Sequence, residues 1–92
     1  MSYEEKIKPL REKIDFLDNK ILDLLKSRLE VVESVWNLKK EYNIKPLDEK
    51  RWHAILKNLE HKCEEREIPY TMVKNIWEEI HKTALELESK TK

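Results

Sequence analysis

Glycine is absent from this 92-residue sequence, and cysteine, net charge and long apolar runs are scarce or absent as well. Loops that hold nucleotide phosphates in P-loop and dinucleotide-binding proteins need glycine, so both classes are excluded. Tight β-hairpin turns favour glycine too, whereas α-helices do not depend on it. The 19 Lys and Arg residues balance 19 Asp and Glu residues, which leaves no net charge to attract nucleic acid or an anionic membrane. We therefore expect a helical protein whose partners include neither nucleic acid nor a membrane.

The scarcity of cysteine and of apolar runs bears on cellular location. Cys63 is the one cysteine, so it cannot form an internal disulfide, and a lone thiol suits the reducing cytosol. The first residues lack the apolar core of a signal peptide. No apolar run approaches the roughly 20 residues that a membrane-spanning helix needs. These features predict a cytoplasmic protein.

Apolar residues recur at alternating steps of three and four through the first half of the chain, which indicates a heptad seam on one long helix. The seam positions are Ile7, Leu10, Ile14, Leu17, Ile21, Leu24, Arg28, Val31, Val35, Leu38 and Tyr42. Pro46 ends this helix, because proline disfavours helix in the residue before it. Asp48 can cap a second helix, and Pro69 suits the first turn of a third. The prediction is one all-α domain over residues 1–92 with helices at about 5–42, about 48–65 and about 69–90.

The length of the first helix predicts a dimer. A helix over residues 5–42 is roughly 57 Å long, whereas a compact domain of this size is only about 30 Å across. The two later helices are each about half as long and cannot cover it. A second copy can, and a two-fold pair is the commonest solution, so we expect an intertwined homodimer. The alternative is a frayed or bent first helix.

Three cations on the first helix are candidates for binding an anion. Arg28 interrupts the apolar seam, so it either pairs with a carboxylate that sets the helix register or faces a ligand. Lys39 lies three turns further on, nearly on the same face and about 16 Å away. Arg11 is about 25 Å from Arg28, too far to share a ligand within one chain. In an antiparallel helix pair whose two-fold axis lies near residue 22, Arg11 of the other copy can reach a ligand held by Arg28 and Lys39.

The two later helices add further candidates. Asp48 and Arg51 open the second helix, where a helix cap and a surface charge are the alternative interpretation. Glu88 lies one turn beyond Ala84 and can share its face, although a solvated side chain is the alternative. His53, His61, His81 and Cys63 invite a metal site, but their spacing along the helices does not favour one.

Several of these residues together resemble the all-helical class of chorismate mutase, over about residues 5–90. They are Leu10-Arg11-Glu12-Lys13-Ile14-Asp15, Leu17-Asp18, Ile21-Leu22, Leu24-Leu25, Arg28, Val35, Lys39, Pro46, Asp48-x-x-Arg51, Ile76-Trp77-x-x-Ile80 and Glu88. The resemblance implies an entwined dimer of three-helix chains with two active sites, each built from both subunits. It also implies the rearrangement of chorismate to prephenate, without cofactor, metal or covalent intermediate.

The same resemblance assigns a role to each candidate cation. Arg11 of the partner subunit, Arg28 and Arg51 are expected to hold the carboxylates of the substrate. Lys39 is expected to donate to the ether oxygen as its bond breaks. Asp48 is expected to contact the ring hydroxyl through its backbone or side chain.

Three positions depart from the family pattern. Trp52 stands where Glu is common, which removes a partner for the substrate hydroxyl, so Trp52 either lines the pocket or belongs to the core. Ala84 stands where Ser is frequent. Glu88 stands where Gln is common, and only a protonated acid can donate to the ether oxygen. The alternatives are an isochorismate pyruvate-lyase on the same scaffold, or a catalytically silent helical dimerisation or regulatory module, which Trp52 and Ala84 favour.

Overall fold

A computed structural model of the chain describes residues 1–45 and 48–90. Within these ranges the protein forms three α-helices and no β-strand. The helices are α1 (Tyr3–Glu41), α2 (Glu49–Arg66) and α3 (Tyr70–Lys90). The predicted all-α class is confirmed, and each helix begins and ends within two residues of its predicted bounds. Pro46, the predicted stop signal, lies outside the described residues.

The start of each helix is fixed by a local hydrogen bond or by proline. Ser2 Oγ accepts from the backbone N–H of Glu5 at 3.2 Å at the start of α1. The predicted cap of α2 is confirmed, because Asp48 Oδ1 accepts from the backbone N–H of Arg51 at 3.0 Å. Such caps satisfy N–H groups that have no partner within the helix. Pro69 directly precedes α3. Proline has no backbone N–H, and this position suits it because the first N–H groups of a helix have no partner within the helix.

Among the described residues, two that are not glycine adopt the left-handed backbone conformation, both at helix ends. Asn43 follows α1 with φ 56°, and Glu67 follows α2 with φ 54°. After α2, the N–H of Ile68 donates to the carbonyl of Cys63 at 3.1 Å, and that of Glu67 donates to the carbonyl of Glu64 at 3.3 Å. This bond pair is a Schellman motif, and the same pattern ends α1. The chain thus ends two helices in a conformation usually given to glycine.

The chain divides into two units, Met1–Val32 and Glu33–Lys92. The first unit holds most of α1. Ile7 is half-buried, whereas the other six apolar seam positions in this unit are between 52% and 69% exposed. These exposed positions are Leu10, Ile14, Leu17, Ile21, Leu24 and Val31. Exposed apolar faces of this kind are typical of interaction surfaces.

The second unit contains a small apolar core between α2 and α3. Leu59 and Cys63 on α2 are buried together with Val73 on α3. Partly buried apolar side chains surround this cluster: Ile55, Leu56, Tyr70 and Trp77. Cys63 is a free thiol that is 2% exposed, so it packs as a small core residue. No helix in the described part of the chain carries an apolar stretch long enough to cross a membrane.

Candidate active site

The start of α2 holds two of the predicted site residues in a fixed backbone arrangement. Asp48 caps the helix through the hydrogen bond to Arg51, and its own carbonyl accepts from the N–H of Trp52 at 3.0 Å. Both Asp48 and Arg51 are exposed. The interpretation of Asp48 as a helix cap is therefore correct, and it leaves the Arg51 side chain open to solvent.

The next residue, Trp52 on α2, contacts α3 through its side chain. Its indole ring stacks on the imidazole ring of His81, with ring centroids 4.1 Å apart and planes 9° apart. Both side chains are half-buried. Trp52 therefore lies against α3 at the level of the predicted site and outside the described apolar core.

One face of α3 carries His81, Ala84 and Glu88. Their spacing of three and then four residues brings the three side chains to the same side of the helix. Ala84 is 7% exposed and Glu88 is 3% exposed, so the alternative that Glu88 is solvated is wrong. No hydrogen bond to Glu88 Oε2 occurs within residues 1–45 and 48–90, although the residue does interact with its surroundings. A buried carboxyl group is unusual, and it marks this end of α3 as a candidate for function.

The three candidate cations of α1 differ in exposure. Arg28 is half-buried in the first unit, and Lys39 is half-buried in the second. Arg11 in the first unit is exposed. Partial burial of a cation has a desolvation cost that an anionic partner offsets, so Arg28 and Lys39 are better placed within their units to hold an anion than a fully solvated side chain is.

A family model described as Chorismate mutase type II matches residues 10–89. The chain belongs to this family. No curated protein and no solved structure matched the chain. The matched range includes all eight predicted site residues, from Arg11 to Glu88. Membership of the all-helical chorismate mutase class also agrees with the three helices of the fold.

The first unit also carries an apolar groove of about 520 Å³. It is lined by Pro9, Glu12, Lys13, Phe16 and Leu17. None of these is a predicted site residue. The groove follows the flank of a single helix, whereas small-molecule sites are enclosed by several elements, so we do not assign the chorismate mutase site to it.

Within the described residues, no three His, Cys, Asp or Glu side chains come close enough to hold a metal ion. His61 lies against Glu65, with 2.8 Å between Nε2 and Oε1, and His81 lies against Trp52. Two histidines that were considered as metal ligands, His61 and His81, therefore contact other side chains.

Sequence reasoning missed His81 as a residue of the candidate site, since it was considered only as a metal ligand. The signal that could have found it is its spacing, three residues before Ala84 and seven before Glu88. That spacing places it on the site face of α3. Its contact with Trp52 is a tertiary one that helical periodicity does not report.

Proposed function

We propose that this protein is a chorismate mutase, which converts chorismate to prephenate. The match of the chorismate mutase type II model to residues 10–89 carries the proposal. The matched range also contains two half-buried cations, Arg28 and Lys39, and such groups can bind an anionic substrate.

The reaction asks little of the protein beyond positioning and charge. It is a rearrangement within one molecule, in which an ether C–O bond breaks while a C–C bond forms. No atom is gained or lost and there is no net oxidation or reduction, so the reaction consumes no oxidant, reductant or co-substrate. The substrate has two carboxylates, and negative charge grows on the ether oxygen as its bond breaks. Fixed donors aimed at that charge and a substrate held in a folded conformation are the available sources of rate.

We assign the cations accordingly. Arg28 and Arg51, with Arg11 of the partner subunit, bind the two carboxylates, because a guanidinium group presents paired donors to a carboxylate. Lys39 donates to the ether oxygen. The half-burial of Arg28 and Lys39 supports these roles, since partial removal from water strengthens their interaction with an anion.

The remaining positions bind the ring and its hydroxyl. Asp48 contacts the hydroxyl through its side chain or backbone. Glu88 acts in its protonated form as a second donor to the ether oxygen, and its burial supports a position inside the pocket. Trp52 and Ala84 line the pocket without donating hydrogen bonds to the carboxylates or the hydroxyl.

We further propose that two copies form an intertwined homodimer with active sites shared between the chains. The exposed apolar seam of the first unit supports this, because a second copy of α1 offers a complementary apolar face. The buried free thiol of Cys63 is compatible with a cytoplasmic location.

A catalytically silent helical dimerisation or regulatory module is the second candidate. The stack of Trp52 on His81 favours it, because an aromatic pair occupies the position where the family commonly carries a hydrogen-bonding carboxylate. Ala84 also favours this candidate, because it offers no hydroxyl group.

The test is an assay of the purified protein with chorismate, with the Arg28→Ala variant measured in parallel. Prephenate formation by the wild type and its loss in the variant support the mutase. Release of pyruvate from isochorismate instead indicates a pyruvate-lyase. No reaction with either compound, together with higher stability of Arg28→Ala, contradicts the proposal and supports the silent module.

A further inference from the structure

We infer that His81 is a positioning residue, whose stack on Trp52 fixes the start of α2 and thereby the location of Arg51. The consequence for substrate binding rests on the proposed function, whereas the consequence for the α2 backbone does not. The family pattern that supplied the other site residues did not point to His81.

The contact itself is well suited to fixing a helix end. The rings of Trp52 and His81 lie nearly parallel, 4.1 Å apart at their centroids, so the two rings are stacked. Trp52 belongs to α2 and His81 to α3, so the contact ties one helix to the other. Aromatic pairs in such geometry stabilise beyond the area they bury.

Apart from its place in the α2 backbone, Arg51 has few contacts that fix its position. Its side chain is exposed and gains no fixed position from burial. Its backbone is fixed from the side of Asp48 by the cap, at 3.0 Å. On the other side, its neighbour Trp52 is held by His81. The partly buried residues around the apolar core begin only one turn later, at Ile55.

The stack also connects the candidate site residues of α2 with those of α3. His81 shares a face of α3 with Glu88, and Trp52 adjoins Arg51 on α2. A shift between the helices at this level therefore changes the separation between the group proposed to bind a carboxylate and the group proposed to donate to the ether oxygen.

The experiment compares His81→Leu, which removes the flat ring, with His81→Phe, which keeps it, in the full-length protein. His53→Leu is the matched control, because His53 is an exposed histidine on α2. The first measurement is amide hydrogen exchange at Arg51 and Trp52. We expect exchange about 2- to 10-fold faster in His81→Leu, which is the range that a stacked aromatic pair supports. We expect wild-type rates in His81→Phe and in the control.

The second measurement is KM for chorismate well below the unfolding temperature. We expect KM to rise about 2- to 10-fold in His81→Leu with little change in kcat, because Arg51 is proposed to bind substrate and transition state alike. His81→Phe should restore the wild-type KM. A role confined to overall stability would lower the unfolding temperature of His81→Leu and leave KM unchanged.

Each result decides a different statement. Unchanged exchange in His81→Leu, or equal damage by Leu and Phe, overturns the inference. Faster exchange with an unchanged KM overturns the link to Arg51. If the wild type does not convert chorismate, the proposed function fails, and the exchange rates alone decide whether the stack fixes the start of α2.

Discussion

The carboxylate of Asp48 accepts a hydrogen bond from the backbone N–H of Arg51 at 3.0 Å, so one predicted substrate-binding residue orders the backbone of another. Replacing Asp48 should therefore affect folding as well as catalysis. We expect Asp48→Ala to lower the free energy of unfolding by about 1 kcal/mol, whereas Asp48→Ser keeps a capping oxygen and most of the stability. Urea unfolding of the two variants measures this. Equal stability of the Ala variant and the wild type would contradict the importance of the cap.

The same two variants separate the two proposed contacts of Asp48 with the substrate. If the carboxylate binds the ring hydroxyl, kcat/KM falls in both variants. If the backbone does so, Asp48→Ser retains activity because the helix start is intact.

Lys39 gives the sharpest test of the electrostatic mechanism. We expect Lys39→Ala to lower kcat about 10²- to 10³-fold, because removing a single donor to a developing oxyanion has an effect of this size. Lys40→Ala is the control, since it removes a neighbouring exposed ammonium group from the last turn of the same helix. Steady-state kinetics at saturating chorismate measures the difference. Similar activity of the two variants would remove Lys39 from the mechanism.

The role proposed for Glu88 predicts that turnover depends on pH. Only the protonated carboxyl group can donate to the ether oxygen, so we expect turnover to be higher at lower pH. Glu88→Gln always donates, and its pH profile should be flatter. The measurement is kcat/KM across pH for both proteins. A variant profile that follows the wild type would exclude Glu88 as the donor.

The proposed dimer can be tested at the centre of the apolar seam. Ile21 is 56% exposed in the single chain and lies next to the predicted two-fold axis. We expect Ile21→Glu to produce monomers in analytical ultracentrifugation, because the buried charge would lack a partner. The variant should also lose turnover, since a monomer lacks the contribution that we propose for Arg11 of the partner subunit. Lys20→Glu introduces the same side chain one position away, outside the seam, and should leave the dimer intact. A wild-type monomer would contradict the architecture.

The features of this fold that could be predicted are those that depend on residues close together in the sequence. The three helices follow from apolar periodicity, and the cap at Asp48 follows from residue type at a helix start. The shared face of Ala84 and Glu88 also follows from spacing, but the near-complete burial of Glu88 does not. Whether a carboxyl group at a helix end is solvated depends on what packs over it, which one helix does not specify.

The contact between Trp52 and His81 escaped sequence reasoning for a related reason. The stack joins residues that are far apart in the sequence and belong to different helices. Its existence depends on how α2 and α3 are offset along their axes. That offset is set by the packing of Leu59, Cys63 and Val73, whose side-chain shapes have no simple periodic signature.

The left-handed residues at the ends of α1 and α2 predict a stabilising substitution. Glu67 has φ 54°, a conformation that is costly for a residue with a Cβ atom. We expect Glu67→Gly to raise the free energy of unfolding by about 0.5 to 1 kcal/mol, after part of the gain is offset by the greater freedom of glycine in the unfolded chain. Asn43→Gly should give a smaller gain at φ 56°, because asparagine tolerates this conformation better. Denaturant unfolding at fixed protein concentration measures both, and a fixed concentration matters because a dimer's stability depends on it. Destabilisation by Glu67→Gly would mean that the Glu67 side chain contributes more than the backbone strain it imposes.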